Sequence, residues 1–333
     1  MTGGFRTAKF DLVERDVLLV RVVVDGVDGW AECAALPDAG YDGIDVDGAV
    51  AALRSDPRGG PPVAAAAVAT AMLDARLRTE GRSLADWLGA ERTMVPAGVA
   101  VGFFPSIGEL VTEVRRQVAA GYRRVKVKIG PGHDVEVARA VRAEVGPDIV
   151  VQVDANGAYT LDDAGVLAQL DDLDLLLVEQ PLPRHDLEGH AALSRRIITP
   201  VCLDESIRSL ADARRAIDLG ACSVICVKPG PLGGIEVAKA VHDLCVEAHI
   251  DAWCGGMLET GVGRAALLAL AALPGFTLPG DLSATGRWYD DDLTGRVSLI
   301  GGQLRVPTGP GIGGEPDPAS LEQFTTWTET VQI

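Results

Sequence analysis

RRVKVKIG at 123–130, IVVQVDAN at 149–156, LLLVEQPL at 175–182, TPVCLDES at 199–206 and SVICVKPG at 223–230 are five short runs rich in β-branched or apolar residues. Each ends on a polar group. Those groups are Lys128, Asp154, Glu179, Asp204 and Lys228, and they recur every 24 to 26 residues, the length of one strand, one helix and two short loops. The stretches between them, such as DVEVARAVRAEVG, LDDAGVLAQLDDL and SLADARRAIDLG, have the apolar spacing and acidic starts of helices. Strands alternating with helices imply a parallel sheet with its polar residues at the C-terminal strand ends.

Three further runs, VPAGVAVG before the series and IDAWCGGM and FTLPGDLS after it, bring the strand count to eight. Eight βα units close into a (β/α)8-type barrel, whose C-terminal face carries the active site. An open doubly wound sheet would spread the five polar groups along one edge, whereas a barrel makes them converge. Ahead of the barrel, LLVRVVVDG and GWAECAAL read as strands and PPVAAAAVATAMLDARLRTEG as an Ala-rich helix. We therefore expect an α+β capping domain over 1–92, a catalytic barrel over 93–300, and a turn-rich tail over 301–333 that packs back on the capping domain.

Composition narrows the function. A net charge of -17 disfavours nucleic acid and anionic membranes, which require a basic face. No apolar run reaches the ~20 residues of a membrane span. The start MTGGFRTAKF lacks the apolar stretch of an export signal, so a cytoplasmic location is expected. The six cysteines form no C-x-x-C pair and read as reduced, small core hydrophobes.

The chain has five lysines against twenty-five arginines, yet Lys126, Lys128 and Lys228 fall at strand ends. A lysine can give up its proton when its environment lowers its pKa, and an arginine cannot. Asp154, Glu179 and Asp204 would converge as three carboxylates, which need a cation between them. An all-oxygen set favours a hard ion such as Mg²⁺. Lys128 and Lys228 would then flank a bound small-molecule carboxylate, with burial and the metal lowering their pKa values so that one acts as base and the other as acid. Two alternatives use the same residues. Schiff-base chemistry at Lys228 leaves the acids without a shared task, and a non-catalytic carboxylate-binding barrel leaves the lysines without one.

The chain also resembles the muconate-lactonizing subgroup of the enolase superfamily, specifically its o-succinylbenzoate synthase and N-acylamino acid racemase family. The motifs carrying the resemblance are WAEC and GY at 30–41, KVKIG at 126–130, VDANGAY at 153–159, VEQPL at 178–182, CLDES at 202–206, VKPG at 227–230, WCGGMLETGVGR at 253–264 and LPGDLSAT at 278–285. It implies Mg²⁺, with Mn²⁺ as a substitute, held by Asp154, Glu179 and Asp204, and an acid/base pair at Lys128 and Lys228. It also implies Lys126 beside the substrate carboxylate, Asn156 and Glu205 supporting the metal, Gly255, Gly256 and Met257 lining the pocket, and Tyr41 on a capping loop. The implied reaction removes the proton next to a carboxylate through an ene-diolate. The outcome would be either dehydration to o-succinylbenzoate in menaquinone synthesis or racemisation of an N-acylamino acid; a related racemase or cycloisomerase is a third outcome. Barrels of this kind often self-associate, so a homo-oligomer is expected. Ala100, Cys226 and Pro231 stand where the family often has serine, asparagine and, in its racemase branch, arginine. Pro231 therefore tilts the expectation toward dehydration. A shorter N-terminal region before Phe5 and around Ser55 to Pro62 implies a reduced lid.

Overall fold

A computed structural model describes residues 1, 4–7, 11–36 and 43–332. Tyr41 lies outside the described residues. The strands in chain order are β1 (Phe5–Arg6), β2 (Asp11–Leu12), β3 (Leu18–Val24), β4 (Val27–Cys33), β5 (Met94–Pro96), β6 (Gly98–Val101), β7 (Arg124–Lys128), β8 (Val150–Asp154), β9 (Val178–Glu179), β10 (Val201–Leu203), β11 (Val224–Val227), β12 (Asp251–Cys254) and β13 (Gln303–Arg305).

Strands β6 to β12 form one parallel sheet in sequential order, each joined to the next through a helical connection. The five runs quoted first become β7 to β11, with register pairs Lys128 to Asp154 and Asp154 to Glu179 placing the polar ends side by side. The eighth run departs from the sequence expectation: FTLPGDLS forms no strand. It still closes the ring, through a parallel bridge from Gly280 to Ala97 and a hydrogen bond from Asp281 N to Cys254 O. Two residues explain the irregularity. Pro279 has no N–H to add to a ladder, and a Cβ on Gly280 would come within 2.4 Å of Cys254 O, so only glycine permits the close approach.

Two apolar layers hold the barrel. Outside the sheet, Val99, Val125, Val127, Val151 and Val153 pack against helices that include Ile107–Ala119 and Val135–Val145. Inside, Trp253 fills the barrel with Leu177, Cys202, Val224 and Cys226. All six cysteines are buried, as small hydrophobes would be.

In the N-terminal region β3 and β4 form an antiparallel hairpin. Its turn uses Asp25 and Gly26, both at positive φ, as a two-residue hairpin turn requires. The helix Pro62–Thr79 packs across this hairpin so closely that a Cβ on Gly29 would lie 2.0 Å from Ala71 O. The tail returns to both regions. Strand β13 pairs with β5, Ile312 N donates to Asp74 Oδ1 at 2.6 Å, and Arg54 meets Glu329 at 2.7 Å. Among the described residues, no helix is long and apolar enough to cross a membrane.

Candidate active site

Period-two alternation along β7 points Arg124, Lys126 and Lys128 into the barrel, one above another, and all three are buried. Lys128 stands at the mouth. Its Nζ donates to Asp154 Oδ2 at 2.5 Å and Asn156 Oδ1 at 2.7 Å. One step deeper, Lys126 Nζ lies 2.9 Å from Glu179 Oε2 and 3.3 Å from Asp154 Oδ2, and pairs with Asp281 as well. On the far side β11 ends where Pro229 starts a helical turn, leaving Lys228 at the strand end with Nζ 2.6 Å from Asp204 Oδ2.

The acids occupy the strands between. Asp154 ends β8, Glu179 ends β9 and Asp204 follows β10. Gln180, in a left-handed conformation at φ 39, ties two of these ends together. Its Oε1 accepts from Asp204 N at 3.0 Å and Ser206 N at 3.1 Å, while its Nε2 donates to Leu182 O and Ser206 Oγ. Asn156 Nδ2 donates to Glu205 Oε1 at 3.0 Å, joining the ends of β8 and β10. Ligand atoms of Glu179, Asp204 and Cys226 lie within 4.8 Å of one another, a set able to hold a metal ion. Cys226 enters this set because it faces inward two residues before Lys228. The sequence expectation put Asp154 in its place, whereas here Asp154 is engaged by Lys126 and Lys128.

Electrostatics express the crowding. Burial pushes the Glu179 carboxyl well above the usual carboxylate range, and Asp154 adds to this against the pull of Lys126. Burial would also raise Asp154, but Lys128 and Lys126 outweigh it and draw its pKa down to about 2. The lysines are set by the acids that they face. Burial opposes the charge on Lys126 and Lys228, yet Asp281 and Glu179 for the first, and Asp204 for the second, hold both well above the ordinary lysine value. With protein groups alone, each of these amines serves as a counter-ion to an acid.

Lys126, Lys128, Asp154, Asn156, Asp204, Lys228, Gly256 and Met257 line a single cleft of about 590 Å³. Glu179 lies beneath its floor, fully buried. Gly255 has a different place from the expected one: a Cβ there would meet Cys226 Sγ at 2.5 Å and Lys228 Cε at 2.7 Å, so the glycine makes room for the lysine shaft. Phe5, Ala100, Leu258 and Trp288 supply an apolar side to the cleft. The sequence reading missed Asp281, although the same 24-to-26-residue beat carried two units past Lys228 leads close to it. It also missed Leu258 and Trp288, which no local pattern marks.

The family described as Enolase C-terminal domain-like matches residues 109–320. The chain belongs to the enolase superfamily. Over 98% of its length it is 47% identical to an N-succinylamino acid racemase from Amycolatopsis sp, covering 94% of that protein. It is 41% identical to an o-succinylbenzoate synthase from Geobacillus stearothermophilus, over 99% of this chain and 94% of the relative. A crystal structure of an enolase-superfamily member from Listeria innocua Clip11262 superposes with a TM-score of 0.93 at 34% identity, covering 98% of this chain and 94% of that one. The names of these two relatives match the two main outcomes that the motifs imply.

Proposed function

We propose that the protein removes the proton next to the carboxylate of a small-molecule substrate in a Mg²⁺-dependent reaction, acting as an o-succinylbenzoate synthase. One observation carries the reading: Lys128 and Lys228 stand on β7 and just past β11, with Asp154, Glu179 and Asp204 on the three strands between. The oxygen-rich donors and the raised Glu179 carboxyl suit a hard dication held by Asp154, Glu179 and Asp204. A Mg²⁺ held by these acids would supply positive charge to stabilise the charge that builds up on the substrate carboxylate, and the lysines would no longer have to neutralise the acids.

The lysines then work from opposite sides of the substrate. One takes the α-proton and leaves an ene-diolate; the other holds a proton ready to assist departure of a β-hydroxyl or to reprotonate the far face. Lys126, held by Glu179 and Asp281, would orient the substrate carboxylate. Asn156 and Glu205 keep the ends of β8 and β10 in register.

A second outcome, racemisation of an N-succinylamino acid, is favoured by the 47% identity to a racemase of that name. Pro231, buried in the turn after Lys228, offers no cation there and favours dehydration. Incubation with Mg²⁺ in deuterated water separates the two. Dehydration product identifies the first and α-deuterium in both enantiomers the second, while neither product nor exchange would rule out both. We further propose a capping unit over 1–92, a barrel over 93–300 and a returning tail over 301–333, and a cytoplasmic location.

A further inference from the structure

We propose that Arg15 is a positioning residue for the substrate, setting through the carbonyl of Leu258 the apolar wall against which the part of the substrate remote from the reacting carbon packs. The proposal rests on the functional reading above and adds the residue that shapes its pocket.

Arg15 lies between β2 and β3, far in sequence from the barrel, yet its side chain is wholly buried. One nitrogen makes all its hydrogen bonds among the described residues. Nη1 donates to Glu32 Oε1 at 2.6 Å, to Leu258 O at 2.9 Å and to Tyr289 Oη at 3.3 Å, while Nε and Nη2 have no hydrogen-bond partner among the described residues. Tyr289 Oη donates to the same Leu258 carbonyl at 2.6 Å.

Leu258 sits at φ 64, a left-handed conformation that a leucine keeps only when its surroundings over-determine it. Two donors on its carbonyl do so from one side. From the other, Glu259 Oε2 accepts from Met257 N at 2.7 Å, and Glu32 Oε2 accepts from Thr260 N at 2.9 Å and Thr260 Oγ1 at 2.6 Å. The Arg15–Glu32 pair therefore clamps the pocket loop at two points, Leu258 and Thr260. What it holds is functional surface: Gly256, Met257 and Leu258 line the cleft, and Leu258 packs with Phe5, Ala100 and Trp288. None of these clamping atoms touches the acids or lysines at the strand ends. Arg15 thus governs the fit of the substrate and leaves the proton chemistry to others.

The test measures kcat, KM and Mg²⁺ affinity for the wild type, Arg15→Met, Arg15→Lys and Tyr289→Phe, using whichever of the two substrates the wild type turns over. Because the wall binds ground state and transition state alike, loss of one hydrogen bond to Leu258 O should raise KM about threefold to tenfold in Tyr289→Phe and by at least as much in Arg15→Met, which also leaves Glu32 unpaired, with kcat and Mg²⁺ affinity unchanged. Arg15→Lys, whose single amine can stand in for Nη1, should return KM to near the wild-type value. If Arg15→Met does not fold, Tyr289→Phe decides, since it leaves the ion pair whole. Wild-type KM in Tyr289→Phe, or a parallel loss of kcat and Mg²⁺ affinity, overturns the proposal while the functional reading stands. Absence of wild-type turnover and of α-deuterium exchange overturns the functional reading and this proposal together.

Discussion

Lys228 Nζ lies 2.6 Å from Asp204 Oδ2, an ion pair between the ends of the adjacent parallel strands β10 and β11 with both side chains almost wholly buried. An amine held this way is charged and cannot take a proton. In the proposed reaction the base and the cation would therefore compete for this one carboxylate, and filling the acid set would free the amine.

Replacement of either lysine at the mouth should stop turnover without unfolding the barrel. Lys228→Ala and Lys128→Ala are each expected to lower kcat by about a hundredfold to ten-thousandfold, the usual worth of a positioned acid or base. Lys228→Arg should fail as badly, because a guanidinium keeps its proton. Steady-state rates with circular dichroism of each variant check this; a Lys228→Arg enzyme of wild-type rate would remove Lys228 from the chemistry.

Gln180 should matter to the cation even though it is no ligand. Gln180→Met keeps the volume but leaves the buried Asp204 and Ser206 N–H groups without their acceptor, a loss of about 1–3 kcal/mol for each unsatisfied group. Asp204 then loses its anchor, and Mg²⁺ affinity measured by titration calorimetry should fall about tenfold, one 1.4 kcal/mol step. Asp204→Asn should weaken Mg²⁺ further and abolish activity with the fold retained. Unchanged affinity in Gln180→Met would show that β10 holds Asp204 by itself.

The barrel was legible because its evidence is periodic. Lys128, Asp154, Glu179, Asp204 and Lys228 repeat at one spacing, and in a parallel barrel equal spacing means equal height on neighbouring strands. FTLPGDLS looked like an eighth strand because composition was weighed over the two residues, Pro279 and Gly280, that prevent a ladder. The pairing of the lysines was hidden for a different reason: a list of residues does not say which acid each amine meets, and Lys228 meets Asp204 directly. Arg15 and Leu258 were invisible in the sequence, since 243 positions separate them and neither belongs to a repeating pattern.

Acid should loosen the segment after β9 through His190. This side chain is fully buried, its Nε2 accepts from Leu182 N at 3.2 Å and its Nδ1 lies 2.7 Å from Asp186 O, an arrangement that requires the neutral ring. Burial lowers its pKa below the ordinary histidine value. The unfolded chain therefore binds the proton at higher pH than the folded one, so this contribution is complete above about pH 6.5 and is lost as pH falls below it. Stability should drop by at most about 1.4 kcal/mol for each pH unit in that range. Melting temperature against pH for the wild type and His190→Gln, which keeps an acceptor but cannot be protonated, should give a flatter curve for the variant.

Asp281 should prove the main electrostatic support beneath the site. It pairs with both Arg124 and Lys126, whose cationic groups also lie 4.8 Å and 5.0 Å from the ring centre of buried Trp253. Burial would raise the Asp281 carboxyl, but Arg124 and Lys126 overcome this and hold it well below the usual range. Asp281→Asn removes the charge and leaves two cations in the barrel interior, and breaking a buried pair in this way costs about 3–5 kcal/mol. Lys126 would then rely on Glu179 and Asp154 alone, drawing it toward the acid set, so Mg²⁺ affinity should fall along with stability. A double-mutant cycle separates the two effects: Arg124→Leu removes one stranded cation, so Asp281→Asn with Arg124→Leu should cost less stability than the two single changes combined. Mg²⁺ affinity should stay low in the double variant, because Lys126 still lacks its third acid. Strict additivity in the denaturation midpoints would show that Arg124 does not depend on Asp281 for its charge.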